Sequence, residues 1–337
     1  MKFVTYQTKR EPLVVQGEQD KVGRIGWVKS GYVVDIGLAQ SWAIYQKKIS
    51  GYIQLPTEMI AFLEMGRQGM ELLRSIADAL EDEDLSNLDV EGEPVAIKLE
   101  EVKLLPPVPV PRSFRDFYAF EQHVKTARSK RGLGMVPEWY EIPVFYFSNH
   151  HAIIGPDDPV VMPSETNELD YELEICCIIG KQGKNIAVEE AASYIAGFSI
   201  LNDWSARDLQ RKEMKVGLGP AKGKDFATSI GPYLVTPDEL ESARQGDRYD
   251  LQMVARVNGR EISRGNTKDL YWTFSQMIAQ ASKDVYLRPG DVIGSGTVGT
   301  GCILELGTEV HPWLKPGDIV ELEIEKLGVL RNSIVSS

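Results

Sequence analysis

Leu169-Asp170-Tyr171-Glu172-Leu173-Glu174-Ile175-Cys176-Cys177-Ile178-Ile179 is the stretch on which the reading of the fold turns. Side chains alternate faces along a strand, so Glu172 and Glu174 fall on one face, roughly 6.5 to 7 Å apart, while Leu173 and Ile175 fall on the other. Two carboxylates at that spacing fit a wet strand face as well as a binding site. The continuation, Cys176 to Ile179, is apolar on both faces, which predicts a central strand and not an edge. Carboxylates on a buried strand need a metal or a base beside them, because an unpaired buried charge is strongly disfavoured.

The strand signature recurs through the rest of the chain. Val144 to Phe147, Phe198 to Leu201, Tyr233 to Val235, Leu251 to Val257, Asp291 to Ser295 and Ile319 to Leu327 are all short and β-rich. Asn258-Gly259 predicts a two-residue hairpin turn, and Pro289-Gly290-Asp291 and Pro316-Gly317-Asp318 lead into two further strands. Val320, Leu322 and Ile324 alternate with Glu321, Glu323 and Glu325, predicting one dry face and one wet. The exception is Ser113 to Lys130, where Phe117, Phe120, Val124 and Ala127 share a helical face and Ser113 can cap, so a helix is predicted. Just upstream, Pro106, Pro107, Pro109 and Pro111 forbid regular structure and place a boundary between residues 1–105 and 106–337. The first part predicts strands at Phe3 to Tyr6, Gly23 to Val28, Tyr32 to Ile36 and within Val95 to Leu105, with helices inside Thr57 to Leu80. The expected class is mainly β, with a small amino-terminal domain.

Composition narrows the function. The 337 residues carry 49 acidic against 37 basic side chains, a net charge of -12, so a polyanion is repelled; neither nucleic acid nor an anionic membrane is expected as a partner. Met1 to Val15 lacks the apolar core of a signal peptide, and no run approaches a membrane span, which predicts a cytoplasmic protein. The three cysteines, Cys176, Cys177 and Cys302, have no metal or redox spacing and read as buried apolar residues.

Further acidic candidates flank the first pair. In Leu201-Asn202-Asp203-Trp204-Ser205-Ala206-Arg207-Asp208-Leu209-Gln210 a strand ends and a helix begins, and Asp203 can serve as an N-cap or face the strand ends as a ligand. Arg207 and Gln210 share a face of that helix. Asp116 opens the predicted helix that also carries Tyr118 and His123, one of only four histidines. Gly217 to Phe226 is glycine-rich with Lys222 and Lys224 but is no P-loop, and Gly294 to Gly301 lacks the following helix of a dinucleotide fingerprint. Serine-hydrolase elbows and zinc-protease histidine pairs are missing.

In order, Asp116-Phe117-Tyr118 with Gln122-His123, Leu169 to Glu174, Asn202 to Gln210, Gly223-Lys224-Asp225-Phe226 and Gly294-Ser295-Gly296-Thr297 resemble the fumarylacetoacetate hydrolase family. The resemblance covers Phe114 to the end of the chain. It implies a mixed β-sandwich roll in the carboxy-terminal domain, preceded by a small α+β, SH3-like barrel domain. It also implies a divalent cation, Mg²⁺, Mn²⁺ or Ca²⁺, on Asp116, Glu172, Glu174 and Asp203, which suits an all-oxygen donor set. His123 is the implied base that deprotonates a water attacking a β-diketo acid of the fumarylacetoacetate or acylpyruvate type. Arg207, Gln210 and Lys224 would face the developing enolate charge, and Tyr118, Arg131, Tyr146 and Thr297 the substrate. A homodimer is expected, in the setting of aromatic-compound breakdown.

Two departures accompany the resemblance. The glutamate that pairs with the catalytic histidine in fumarylacetoacetate hydrolases is expected after Asp318, where Ile319 stands. In shorter acylpyruvase-like members it follows the histidine by three residues, where Thr126 stands, so Glu138 or Glu141 are the expected substitutes. Met214 replaces a substrate-contacting tyrosine. Decarboxylation, hydration or isomerisation of a 2-oxo acid would use the same enolate chemistry, and a catalytically silent metal-binding paralogue would keep the carboxylates alone.

Overall fold

The structure, a computed structural model, describes residues 1–8, 23–50 and 53–337. Of the amino-terminal stretch Met1 to Val15, residues 9–15 lie outside those described. The chain is mainly β. Its largest sheet is mixed and, among the described residues, has twelve strands, with Leu173–Ile179 near its middle. On one side of that strand lie Ile195–Asp203 and then Thr228–Val235, both antiparallel. On the other lie Val292–Gly294, Phe114–Phe117 and the edge strand Phe145–Phe147.

Each face of this sheet has its own core, and strand alternation sorts the residues between them. Leu173, Ile175, Cys177 and Ile179 pack with Met253, Ala255, Leu322, Ile324 and Leu330 of a five-stranded second sheet. Cys176 and Ile178 face the other way, joining Phe114, Leu201, Ile230 and Val292 against Phe3, Trp27, Met59 and Phe62 of the amino-terminal part. The hairpin through Asn258-Gly259 joins Gln252–Val257 to Arg260–Asn266, and Val320, Leu322 and Ile324 are buried on the strand Ile319–Ile324 as the alternation predicts. All three cysteines are buried and unpaired.

The amino-terminal helices form as Met59–Glu64 and Gly66–Ala79. A further helix, Ile36–Tyr45, was not anticipated; Asp35 ends the strand before it and accepts the Leu38 N–H at 2.8 Å. The strands of this part continue the large sheet, because Lys2–Thr8 pairs with Thr228–Val235, so strand pairing does not set them apart as a closed barrel.

The helix predicted from Ser113 to Lys130 is corrected. Phe114–Phe117 is a strand, parallel to Val292–Gly294, and the helix is confined to Glu121–Ser129. Asp116 is therefore on a strand, Tyr118 on the connection and His123 on the helix. Local spacing gave way to sheet pairing, which leaves Phe114, Arg115, Asp116 and Phe117 all buried, a pattern that one helical face cannot produce.

Candidate active site and metal centre

Three adjacent features of the sheet bring the acidic groups together. Two residues along from Cys176, Phe114 and Leu201, at the end of the amino-terminal core face, stand Glu174, Asp116 and Asp203, and the period of two puts all three on that same face. Between the Glu174 and Asp116 strands runs Val292–Gly294, where Gly294 pairs with Asp116 on one side and Cys176 on the other. A Cβ at Gly294 would collide with Asp116 Oδ1 and stand 3.4 Å from Glu174 Oε2, so the missing side chain is what lets the two carboxylates meet. One oxygen from each of Asp116, Glu174 and Asp203 lies within 4.8 Å of the others. Asp203 is the last residue of its strand and Ala206 caps the following helix, Arg207–Val216, so the capping role considered for Asp203 is ruled out.

Glu172 is buried beside this group, but its oxygens are engaged by Lys224 and Arg207 (2.8 Å). Lys224 also reaches Asp203 Oδ2 at 2.6 Å, and Tyr146 donates to the same oxygen at 2.5 Å. Lys224, in the glycine-rich segment Gly217 to Phe226, is buried. Thr297 Oγ1 lies 3.4 Å from Glu174 Oε1. Gln210 accepts from Arg207 at 3.1 Å, as their shared helical face predicts.

The electrostatics call for a cation. Burial, followed by the charge of neighbouring carboxylates, pushes Asp116 and Glu174 well above the usual carboxylate range, and burial also raises Asp203 despite Lys224. Burial would raise Glu172 too, but Lys224 and Arg207 hold it down at about 2. Asp116, Asp170, Glu172, Glu174 and Asp203 are five buried carboxyls served by two buried cations, Arg207 and Lys224. Glu174 Oε2 has no hydrogen-bond partner. An orphaned oxygen, an excess of negative charge and donors that are all oxygen fit a hard divalent cation.

His123 completes the arrangement. Its Nδ1 meets Glu305 Oε1, and Glu305 accepts the Thr300 N–H at 2.9 Å through its other oxygen. Tyr118 stands edge-on to the imidazole, ring centroids 5.3 Å apart, and burial pushes its hydroxyl up to about 12. Arg131 is exposed just beyond the helix, its Nε donating to Ala127 O. The expected partners Glu138 and Glu141 are corrected by Glu305, since both are exposed and neither contacts His123. Sequence spacing could not show this, because 182 residues separate the pair. The available signal was a charged residue inside the apolar run Ile303-Leu304-Glu305-Leu306 after a glycine-rich stretch.

Asp170, quoted above without a role, holds these parts in register. It is 0% exposed; Oδ1 accepts the Ile303 N–H at 2.8 Å and Oδ2 the Leu304 N–H at 3.0 Å. The same carboxylate takes Arg207 through Nε at 2.9 Å and Nη2 at 2.8 Å. A one-turn helix, Ile303–Leu306, does therefore follow Gly294 to Gly301, contrary to expectation, but its free N–H groups are spent on Asp170. Burial raises the Asp170 carboxyl and opposes the Arg207 charge, yet Asp170 and Glu172 drive Arg207 well above its own range, so the proton stays on the guanidinium.

The chain is similar to known proteins over most of its length. Residues 112–335 match the family described as fumarylacetoacetate (FAA) hydrolase C-terminal. A mitochondrial oxaloacetate tautomerase of Xenopus laevis is 33% identical over 291 residues, 83% of this chain and 79% of that protein. A mitochondrial oxaloacetate tautomerase of Homo sapiens is 38% identical over 196 residues, 57% of this chain; the match spans 59% of the human protein, less than two thirds of its length. The solved fumarylacetoacetate hydrolase of Exiguobacterium antarcticum superposes with a TM-score of 0.69 at 25% identity, with 100% of both chains covered. Among the described residues no helix is long and apolar enough to cross a membrane.

Proposed function

Since the chain belongs to the fumarylacetoacetate hydrolase family, we propose that it is a divalent-cation-dependent hydrolase that cleaves a carbon-carbon bond in a β-diketo acid, with His123 as the base for the attacking water. The observation that carries this reading is the buried pairing of His123 with Glu305 beside the carboxylate pocket. An ionised glutamate only accepts, so Nδ1 carries the ring proton and Nε2 keeps the lone pair that takes a proton from water. The glutamate comes from late in the chain, though not from the position after Asp318 where the resemblance expects it, and a histidine with a carboxylate partner supports an active enzyme over a silent paralogue.

Asp116, Glu174 and Asp203, with Glu172 adjoining, would hold Mg²⁺ or Mn²⁺, or Ca²⁺. Such a cation, when bound, polarises the substrate's oxygens and lowers the cost of enolate charge. Arg207 and Lys224 are fixed donors that favour negative charge nearby, with Gln210 orienting the guanidinium. Tyr118, Arg131, Tyr146 and Thr297 are assigned to substrate. Residues 106–337 would carry the chemistry, and a homodimer would cover the edge strand Phe145–Phe147, where Phe147 is 64% exposed.

A second reading, keto-enol tautomerisation of a 2-oxo acid, is favoured by the name of the Xenopus relative. The same Nε2 would then take its proton from carbon. Product-identified assays with an acylpyruvate and with oxaloacetate, in Mg²⁺, separate the two. Pyruvate and a second acid from the acylpyruvate are expected; no cleavage together with accelerated oxaloacetate tautomerisation would overturn the hydrolase reading.

A further inference from the structure

A second set of metal-binding donors lies beside the carboxylate pocket. His123, Cys302 and Glu305 are all buried, and one donor atom of each lies within 4.8 Å of the other two. Cys302 Sγ is 3.8 Å from Glu305 Oε1, the oxygen that also meets His123 Nδ1. Local structure explains the convergence. Cys302 caps the one-turn helix and Glu305 is three residues further on, a spacing that puts both on one helical face, and the helix Glu121–Ser129 packs His123 onto them.

We infer that His123, Cys302 and Glu305 form a site for a thiophilic divalent cation of the Zn²⁺ class, whose binding silences the histidine as a base. One nitrogen, one sulfur and one oxygen donor, with a fourth position left for water, make a common zinc donor set. With bonds of about 2.0–2.3 Å, the donors of a tetrahedral ion stand roughly 3.3–3.8 Å apart. The Cys302 to Glu305 spacing already matches, and the imidazole and carboxylate must part to admit the ion. Burial and the charge of Asp170 hold the Cys302 thiol well above its usual range, so the incoming cation itself must displace the thiol proton.

Donor hardness divides the two sites. Asp116, Glu174 and Asp203 offer only oxygen, the preference of Mg²⁺ and Mn²⁺, whereas thiolate and imidazole favour Zn²⁺. Binding at the softer site forms the metal bonds to Sγ, Nδ1 and a Glu305 oxygen and releases one proton to solvent, from the thiol, while the ring proton passes from Nδ1 to Nε2 and the imidazole stays neutral. The His123 to Glu305 hydrogen bond is then lost, and Nε2, now carrying the ring proton, has no lone pair with which to take one from water.

Only the loss of turnover rests on the hydrolase reading; binding does not. The test uses the full chain saturated with Mg²⁺ and titrated with Co²⁺ as a coloured stand-in for Zn²⁺. A thiolate-to-cobalt charge-transfer band in the near ultraviolet is expected at one equivalent, abolished by Zn²⁺ and untouched by excess Mg²⁺. It should be missing in Cys302→Ala and in the nearly isosteric Cys302→Ser, with circular dichroism verifying that each variant folds. No band in the wild type, or a band that survives in a folded Cys302 variant, overturns the site. In parallel, Zn²⁺ should lower diketo-acid turnover at saturating Mg²⁺, and Cys302→Ser should raise the half-inhibitory concentration by about tenfold or more, the usual worth of one ligand. A band with undiminished turnover would leave the site standing and overturn both the silencing and the role of His123 as base.

Discussion

Replacing Asp170 by asparagine removes a charge that three donors and an ion pair share. The carboxylate now accepts two backbone N–H groups of the Glu305 turn and Arg207 Nε, all within 3.0 Å, and Nη2 of the same guanidinium is in ion-pair contact at 2.8 Å. An amide keeps one oxygen acceptor and turns an NH₂ group toward the remaining donors, so at least one buried backbone N–H or Arg207 is left facing another donor. Breaking a fully buried ion pair from one side costs about 3–5 kcal/mol. In a chain of this size that corresponds to a fall of about 4–7 °C in Tm. Arg207 keeps Glu172 and part of its placement, whereas the Glu305 turn loses its cap, so kcat should fall further than divalent-ion affinity. Thermal unfolding, steady-state kinetics and calorimetric titration of the same Asp170→Asn preparation measure all three. A Tm within about 2 °C of wild type, or an unchanged kcat, would refute the argument that this carboxylate holds the turn and the guanidinium together.

Glu305→Gln keeps the shape of the contact but not its charge; kcat should drop about 10²- to 10⁴-fold with Mg²⁺ affinity nearly intact, and an unchanged kcat would remove Glu305 from the mechanism. Gly294→Ala places a methyl group against Asp116 Oδ1, so calorimetry should register a loss of about tenfold or more in Mg²⁺ affinity, and full affinity would show that the carboxylates do not meet over that glycine. The raised carboxyls of Glu174 and Asp116 set the pH dependence. A folded pKa above the unfolded value of about 4 gives stability that is fully present below that value and lost as pH rises through the folded pKa. The metal-free protein should therefore lose stability from about pH 4 upward, and saturating Mg²⁺, which favours the ionised forms, should raise Tm more at pH 8 than at pH 5; an equal or reversed gain would contradict the assignment.

Glu174 was legible because strand alternation is a local rule and a buried central strand obeys it, whereas Asp116, expected on a helix, and Asp203, expected as a cap or a ligand, were joined to it only by the family resemblance. The hairpin at Asn258-Gly259 and the half-wet strand Ile319–Ile324 were legible for the same reason. What failed depended on contacts distant in sequence. Phe114–Phe117 pairs with Val292–Gly294 across almost 180 residues, and that partner decides against the helix that Phe117, Phe120 and Val124 suggest. Glu305 and Asp170 were missed likewise: each acts through a side chain or a backbone N–H brought near only by the finished sheet. Family resemblance supplied Arg207 and Lys224, whose spacing alone carries no sign that they would end up buried between carboxylates.

The second core has a practical meaning for anyone who would shorten this chain. Phe3, Trp27, Met59 and Phe62 roof the very face whose far end bears Glu174, Asp116 and Asp203, so the first hundred residues and the reactive groups share one side of one sheet. A fragment beginning near residue 106 would present Cys176, Ile178, Leu201, Ile230 and Val292 to water as a bare apolar floor. It would also open the Thr228–Val235 edge to which Lys2–Thr8 is laced. Expressed alone, such a piece should aggregate or recruit a substitute roof. A compact enzyme built on the same sheet would have to carry a more polar floor, or borrow its cover from another molecule.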